Sequence, residues 1–174
     1  MKKYFLSLLL LSILISLFFI KKIVFNKTEF NVQDEIKKAD ILYEKKDYKK
    51  AFDIYSKFLT LNMPLMLSKV AYMYRNGKGV PVNYTEALRL YIQTGFAGLY
   101  GSQLEVAYMY QYGIGIKINL VESYKWYRIA AEMHKKKGIW ETLNNLKIEM
   151  ATHEIEIAEK EYPQWKESFF GYTN

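Results

Sequence analysis

The stretch VAYMYRNGKGV, Val70 to Val80, returns as VAYMYQYGIGI, Val106 to Ile116, with a period of 36 residues. Identities at Val, Ala, Tyr, Met, Tyr, Gly, Gly, Asn, Glu and Tyr continue the match from Val70–Phe96 into Val106–Glu132. Self-similarity of this period marks stacked helical units, each too small to bury its apolar face alone.

Helical spacing supports that reading throughout. From Asp34, residues Ile36, Ala39, Leu42 and Tyr43 fall on one face, and Tyr48, Ala51, Phe52, Tyr55 and Leu59 form the next apolar stripe. Met63–Pro64 is expected to end that second helix, because proline cannot continue one. The matched units each begin with a helix, about 65–76 and about 101–112, with small Ala71 or Ala107 allowing close approach. A Gly-x-Gly turn (Gly77–Gly79, Gly113–Gly115) supplies left-handed backbone. Asn83 and Asn119 stand where an N-cap belongs, before helices through Glu86–Tyr91 and Glu122–Tyr127. The second helices keep a 36-residue register back to Ala51 and Tyr55, while Ala39 lies only 32 residues before Ala71, so the matched units carry four extra residues in the turn. A helix around Trp140–Met150 and a last one over Glu154–Tyr162, ended or kinked by Pro163, complete the chain as a cap. Nothing alternates with a period of two, so the expected class is all-α, an αα-superhelix preceded by one N-terminal transmembrane or signal helix.

That N-terminal segment is residues 4–20, YFLSLLLLSILISLFFI, between lysine pairs. At 1.5 Å per residue it spans roughly 26 Å, close to the ~30 Å hydrocarbon core. No small-residue cleavage pattern follows it, so the expectation is an uncleaved anchor over 1–25 and a polar connector over 26–33. The alternative is export after signal cleavage. The repeat domain, 34–174, is divided into a hairpin (34–62), two repeats (65–97 and 101–134) and capping helices (138–168). Short-tail topology places it outside the cytoplasm, periplasmic or on the outer side.

Of the 25 basic residues, Lys2, Lys3, Lys21 and Lys22 flank this segment; the other 21 face 18 acidic ones, a balance of about +3. No basic face for nucleic acid is expected, and Lys135–Lys137 reads as a solvated helix end. The absence of cysteine excludes disulfides, thiolate metal sites and a lipidated cysteine.

Ala71, Tyr74, Gly77-x-Gly79-Val80, Asn83, Glu86-Ala87 and Leu90-Tyr91 resemble the Sel-one-like repeat, a relative of the tetratricopeptide repeat. Ala107, Tyr110, Gly113-x-Gly115-Ile116, Asn119, Trp126-Tyr127 and Ala130-Ala131 resemble it more closely, and Asp47-Tyr48, Ala51 and Tyr55 look like a plain tetratricopeptide unit. The departures are Ser123 for alanine, Thr94-Gly95 for an alanine pair, and asparagine for aspartate at 83 and 119. The resemblance implies a protein-binding scaffold without catalysis of its own, with no cofactor and no small-molecule substrate.

The residues offer little chemistry against that. Gly77-Lys78-Gly79 follows a helix and lacks the phosphate-loop frame; Gly95, Gly98 and Gly101 read as an inter-helix turn. His134 and His153 lack metal spacing, and no serine sits in a hydrolase elbow. Glu149, Glu154, Glu156, Glu159 and Glu161 read as a solvated helix face rather than paired catalytic acids. Tyrosine is abundant, 16 of 174 residues. Tyr74, Tyr91, Tyr110 and Tyr127 take core positions. Tyr72, Arg75 and Asn76 share a different face at i, i+3 and i+4; the likeness makes that face the concave surface. Tyr108, Gln111 and Tyr112 match it in the next repeat, and Asp40, Tyr43 and Glu44 in the leading hairpin. Tyrosine and arginine dominate interface hot spots, so these nine residues are the candidate partner-binding groove. The expected function is a membrane-anchored scaffold holding a protein; the alternatives are an immunity or inhibitor protein for an envelope toxin and, remotely, an envelope enzyme.

Overall fold

The computed structural model describes residues 15–18 and 31–171 of the chain, and among these all regular structure is helical. Residues 31–44 are helical (α1), followed by α2 (Tyr48–Tyr55) with a 3-10 turn (Ser56–Leu59), α3 (Pro64–Asn76), α4 (Tyr84–Phe96), α5 (Tyr100–Tyr112), α6 (Leu120–His134), α7 (Lys137–Glu149) and α8 (Thr152–Gly171). Successive helices pair antiparallel, α3 with α4 and α5 with α6, and α4 packs on α5 to join the repeats.

Three expectations change here. The connector over 26–33 is already helical from 31, because Val32 and Ile36 pack against the core. Pro64 does not end the preceding helix. It opens α3 as its first residue, with Met63 extended before it, where the missing N–H removes no helical bond. The last helix does not stop at Pro163 but runs through it to Gly171. An interior proline costs about 3 kcal/mol, and the packing beyond it outweighs that: Phe169 is fully buried and joins Phe96, Trp126 and Trp165 in an aromatic cluster. The expected anchor over 4–20 lies outside the described residues except for 15–18, which are helical. No described helix is long and apolar enough to cross a membrane.

The Gly-x-Gly turns do two jobs. The first glycine, φ +64° at Gly77 and +67° at Gly113, ends its helix in the left-handed region. The next N–H then closes back on the helix, Lys78 to the Met73 carbonyl and Ile114 to the Met109 carbonyl, both at 2.9 Å. The second glycine, φ +75° at Gly79 and +73° at Gly115, lies against the start of the preceding unit's second helix. A Cβ at Gly79 would meet the Tyr48 carbonyl group at 2.3 Å, and one at Gly115 would meet the Tyr84 Cβ at 2.5 Å. Seven residues (77–83, 113–119) thus link each repeat's helices, against three (45–47) in the leading hairpin. The side chains of Asn83 and Asn119 cap α4 and α6 by accepting the Glu86 and Glu122 N–H at 3.0 Å.

The stacked interior repeats as Val70, Ala71, Met73 and Val106, Ala107, Met109, all buried. Of the three glycines read as one turn, only Gly98 (φ +85°) lies between helices; Gly101 belongs to α5, and Gly95 is buried in α4 against the Trp126 ring. Beside it, the Thr94 hydroxyl donates to the Leu90 carbonyl at 2.9 Å and lies 2.8 Å from the Ser102 hydroxyl. The Thr94-Gly95 departure from the alanine pair is therefore a polar seam between α4 and α5. Ser123, the other departure, is buried with its hydroxyl unpaired.

Candidate functional site

The first helices of the successive units, α1, α3, α5 and α7, present one continuous face. Side chains three and four apart share that face, and each helix reaches the next across it. Asp40 and Tyr43 of α1 meet Lys69 and Tyr72 of α3. Arg75 of α3 meets Glu105 and Tyr108 of α5, and Gln111 of α5 meets Glu149 of α7.

A cavity of about 440 Å³ between α1, α2 and α3 brings together four of the candidates, Asp40, Tyr43, Glu44 and Tyr72. Two residues not anticipated complete it. Lys69 and the Tyr55 hydroxyl both donate to the Asp40 carboxylate. Burial works against the Asp40 charge, but these bonds outweigh it and its pKa is lowered. Burial, and then the neighbouring Tyr72, push the Tyr43 hydroxyl pKa upward. Lys69 was findable by spacing, three residues before Tyr72. Tyr55 was not, because it also occupies a core position in α2.

A second cavity, about 520 Å³, lies where α3, α5, α6 and α7 converge and includes Arg75 and Tyr108. The Arg75 Nε sits 3.2 Å from Glu105 Oε2, both atoms out of water and in ion-pair contact without an aligned hydrogen bond. The guanidinium also lies 5.5 Å from the Tyr108 ring, whose centroid is 4.5 Å from that of Tyr112. Tyr72, Tyr108 and Tyr112 are 42%, 39% and 54% exposed, large rings partly open to solvent. Lys136 lines the same cavity with its ammonium 4.1 Å from the Tyr100 ring. Lys136 is therefore not simply part of a solvated helix end.

Two candidates are engaged elsewhere. Asn76 donates to the Tyr72 carbonyl at 2.8 Å on its own helix and lies beside Tyr84 and the Gly113–Gly115 turn. Gln111 is clamped between Glu149, to which it donates at 2.8 Å, and the Tyr127 hydroxyl, from which it accepts at 3.4 Å.

The terminal glutamates are not simply a solvated face. Glu159 accepts from the Tyr124 hydroxyl at 2.6 Å, from Lys147 at 2.9 Å and from Arg128, binding α8 to α6 and α7. Chiefly through the Tyr124 bond, and against burial, its pKa falls to about 2. Lys125, almost fully buried, pairs with Glu122 at 2.6 Å and Glu161 at 3.1 Å. His134 packs its ring on Tyr100 and holds Gln103 Oε1 at 3.2 Å; burial and Lys136 lower its pKa. Among the described residues no three His, Cys, Asp or Glu side chains are grouped to hold a metal. What the face offers is tyrosine rings, hydroxyls and a few charges, which is the chemistry of macromolecular recognition.

The Sel1 repeat family model matches residues 42–62, 64–94 and 101–134. No curated protein matches the sequence. Among solved structures, c5321 of uropathogenic Escherichia coli, described as a protective antigen displaying an SLR fold, is 18% identical with a TM-score of 0.70, over 79% of this chain and 30% of that one. A Sel1 repeat protein from Oxalobacter formigenes is 32% identical with a TM-score of 0.51, over 56% of this chain and 40% of that one. The chain thus spans less than half the length of either.

Proposed function

Because this chain is built on three Sel1 repeats, we propose that it is a non-catalytic scaffold that holds a protein partner against the face shared by α1, α3, α5 and α7. The observation that carries the proposal is the row of exposed rings on that one face, Tyr72 and Tyr108 each bordering a cavity and Tyr112 packed against Tyr108. Flat amphipathic rings give contact area at small entropic cost. The test is capture by the full chain purified from membranes, comparing wild type with the Tyr72→Ala/Tyr108→Ala/Tyr112→Ala variant. Arg75 is left in place, since its removal would strand the Glu105 carboxylate. The variant is expected to keep its helical circular dichroism and to lose at least tenfold in co-purified partner. Unchanged capture by a folded variant would remove the groove from the account.

The same proposal places the repeats outside the cytoplasm, tethered by residues 4–20, on the strength of that predominantly apolar run between lysine pairs. A cysteine-free chain allows a direct check. The Ile148→Cys variant, changed at a side chain 84% exposed, is expected to react with a membrane-impermeant maleimide on intact cells. Reaction only after lysis contradicts the placement.

A further inference from the structure

We infer that the groove is electrically polarised and that its occupant is an extended peptide segment with a basic side chain toward α1 and an acidic one toward α7. The inference rests on the groove reading above and deepens it.

At the α1 end, the carboxylates of Asp40 and Glu44 face one ammonium, Lys69. Lys69 and Tyr55 are committed to Asp40. Glu44 is exposed, and no hydrogen bond or ion pair engages it among the described residues. It borders the Tyr43 and Tyr72 rings. A carboxylate beside aromatic faces suits a lysine or arginine side chain, which gains both a charge partner and a ring. At the α7 end the signs reverse. Arg75 is neutralised by Glu105, while Lys136 has no carboxylate within ion-pair distance among the described residues and rests on the Tyr100 ring. Its ammonium is the unmatched charge of that cavity, and His134 beside Tyr100 adds none in its neutral form.

The two compartments meet on α3, where Tyr72 borders one and Arg75, three residues on, borders the other. Two helix-to-helix steps of about 8–10 Å separate α1 from α5, and Glu44 ends its helix whereas Tyr100, under Lys136, begins its own, about 18 Å away along the axis, so the unmatched charges lie on the order of 25 Å apart. An extended chain covers that in about seven or eight residues. Opposite poles at a fixed separation select partners and set register more than they add affinity.

The test is selection of random peptides of about twelve residues on the immobilised full chain, followed by anisotropy with the enriched sequences. Peptides with a basic and an acidic residue about seven or eight apart are expected to be enriched and to bind at least tenfold tighter than versions carrying two like charges. Glu44→Lys is expected to shift preference to peptides with two acidic residues, and Lys136→Glu to peptides with two basic ones. Enriched peptides without this pattern that still lose binding in the Tyr72→Ala/Tyr108→Ala variant overturn the polarity and leave the groove standing. No enrichment overturns the peptide occupant, and partner capture by the tyrosine variant then decides the groove alone.

Discussion

At Gly79 an added methyl group would meet the Tyr48 carbonyl at 2.3 Å, on a backbone with φ +75°. Gly79→Ala is expected to destabilise by about 2–4 kcal/mol, combining left-handed strain with overpacking. Gly101 has open space around its Cβ direction within α5, and Gly101→Ala is expected to stabilise by about 0.5–1 kcal/mol. Urea midpoints of the two variants check this; equal midpoints would show that the second glycine of the turn is dispensable. The first glycine was legible from the sequence, since a C-terminal left-handed residue is a local requirement. The second was not, because the atom it meets belongs to a residue 31 positions earlier. Lys69 illustrates the opposite case: its spacing from Tyr72 was visible, but its role depended on an aspartate 29 residues before it.

Helix α8 shows how an element can override its own sequence signals. Pro163 reads as an end or a kink, and a run of glutamates reads as a wet face. Trp165 and Phe169 nevertheless draw the helix onward, and Glu159 turns inward toward Tyr124, Lys147 and Arg128. Both facts depend on which face of α6 is left uncovered, which no local pattern encodes. The Glu159 pKa is depressed from 4.5 to about 2, so its contribution is complete above about pH 4.5 and is lost as pH falls toward 2. Its side chain is 41% exposed, so solvent screening keeps the effect modest. The melting temperature of Glu159→Gln is expected to start lower near neutral pH and to converge on wild type between about pH 5 and 2. Curves that stay parallel over that window would mean that Glu159 does not anchor α8. In contrast, α3 to α6 obey their signals, with asparagine caps and glycine ends where spacing put them.

For the whole molecule, the array and its period were legible because each unit repeats the same local solution, whereas the groove emerges only from the stacking of four first helices. Spacing alone grouped residues within one helix. The stacked structure joins Asp40 to Lys69, Arg75 to Glu105 and Gln111 to Glu149, and so separates side chains that clamp the array from those still open to a partner. Tyr72, Tyr108 and Tyr112 remain open, with Glu44 and Lys136 at the two ends. The claim that this face binds protein is tested most directly by site-specific photocrosslinking in the full chain. A photoreactive residue replaces Tyr72 or Tyr108, or, on the second helix of a repeat, the exposed Arg89. The account predicts crosslinked partner from positions 72 and 108 and little from 89. Equal crosslinking at all three, or crosslinking from 89 alone, would contradict it.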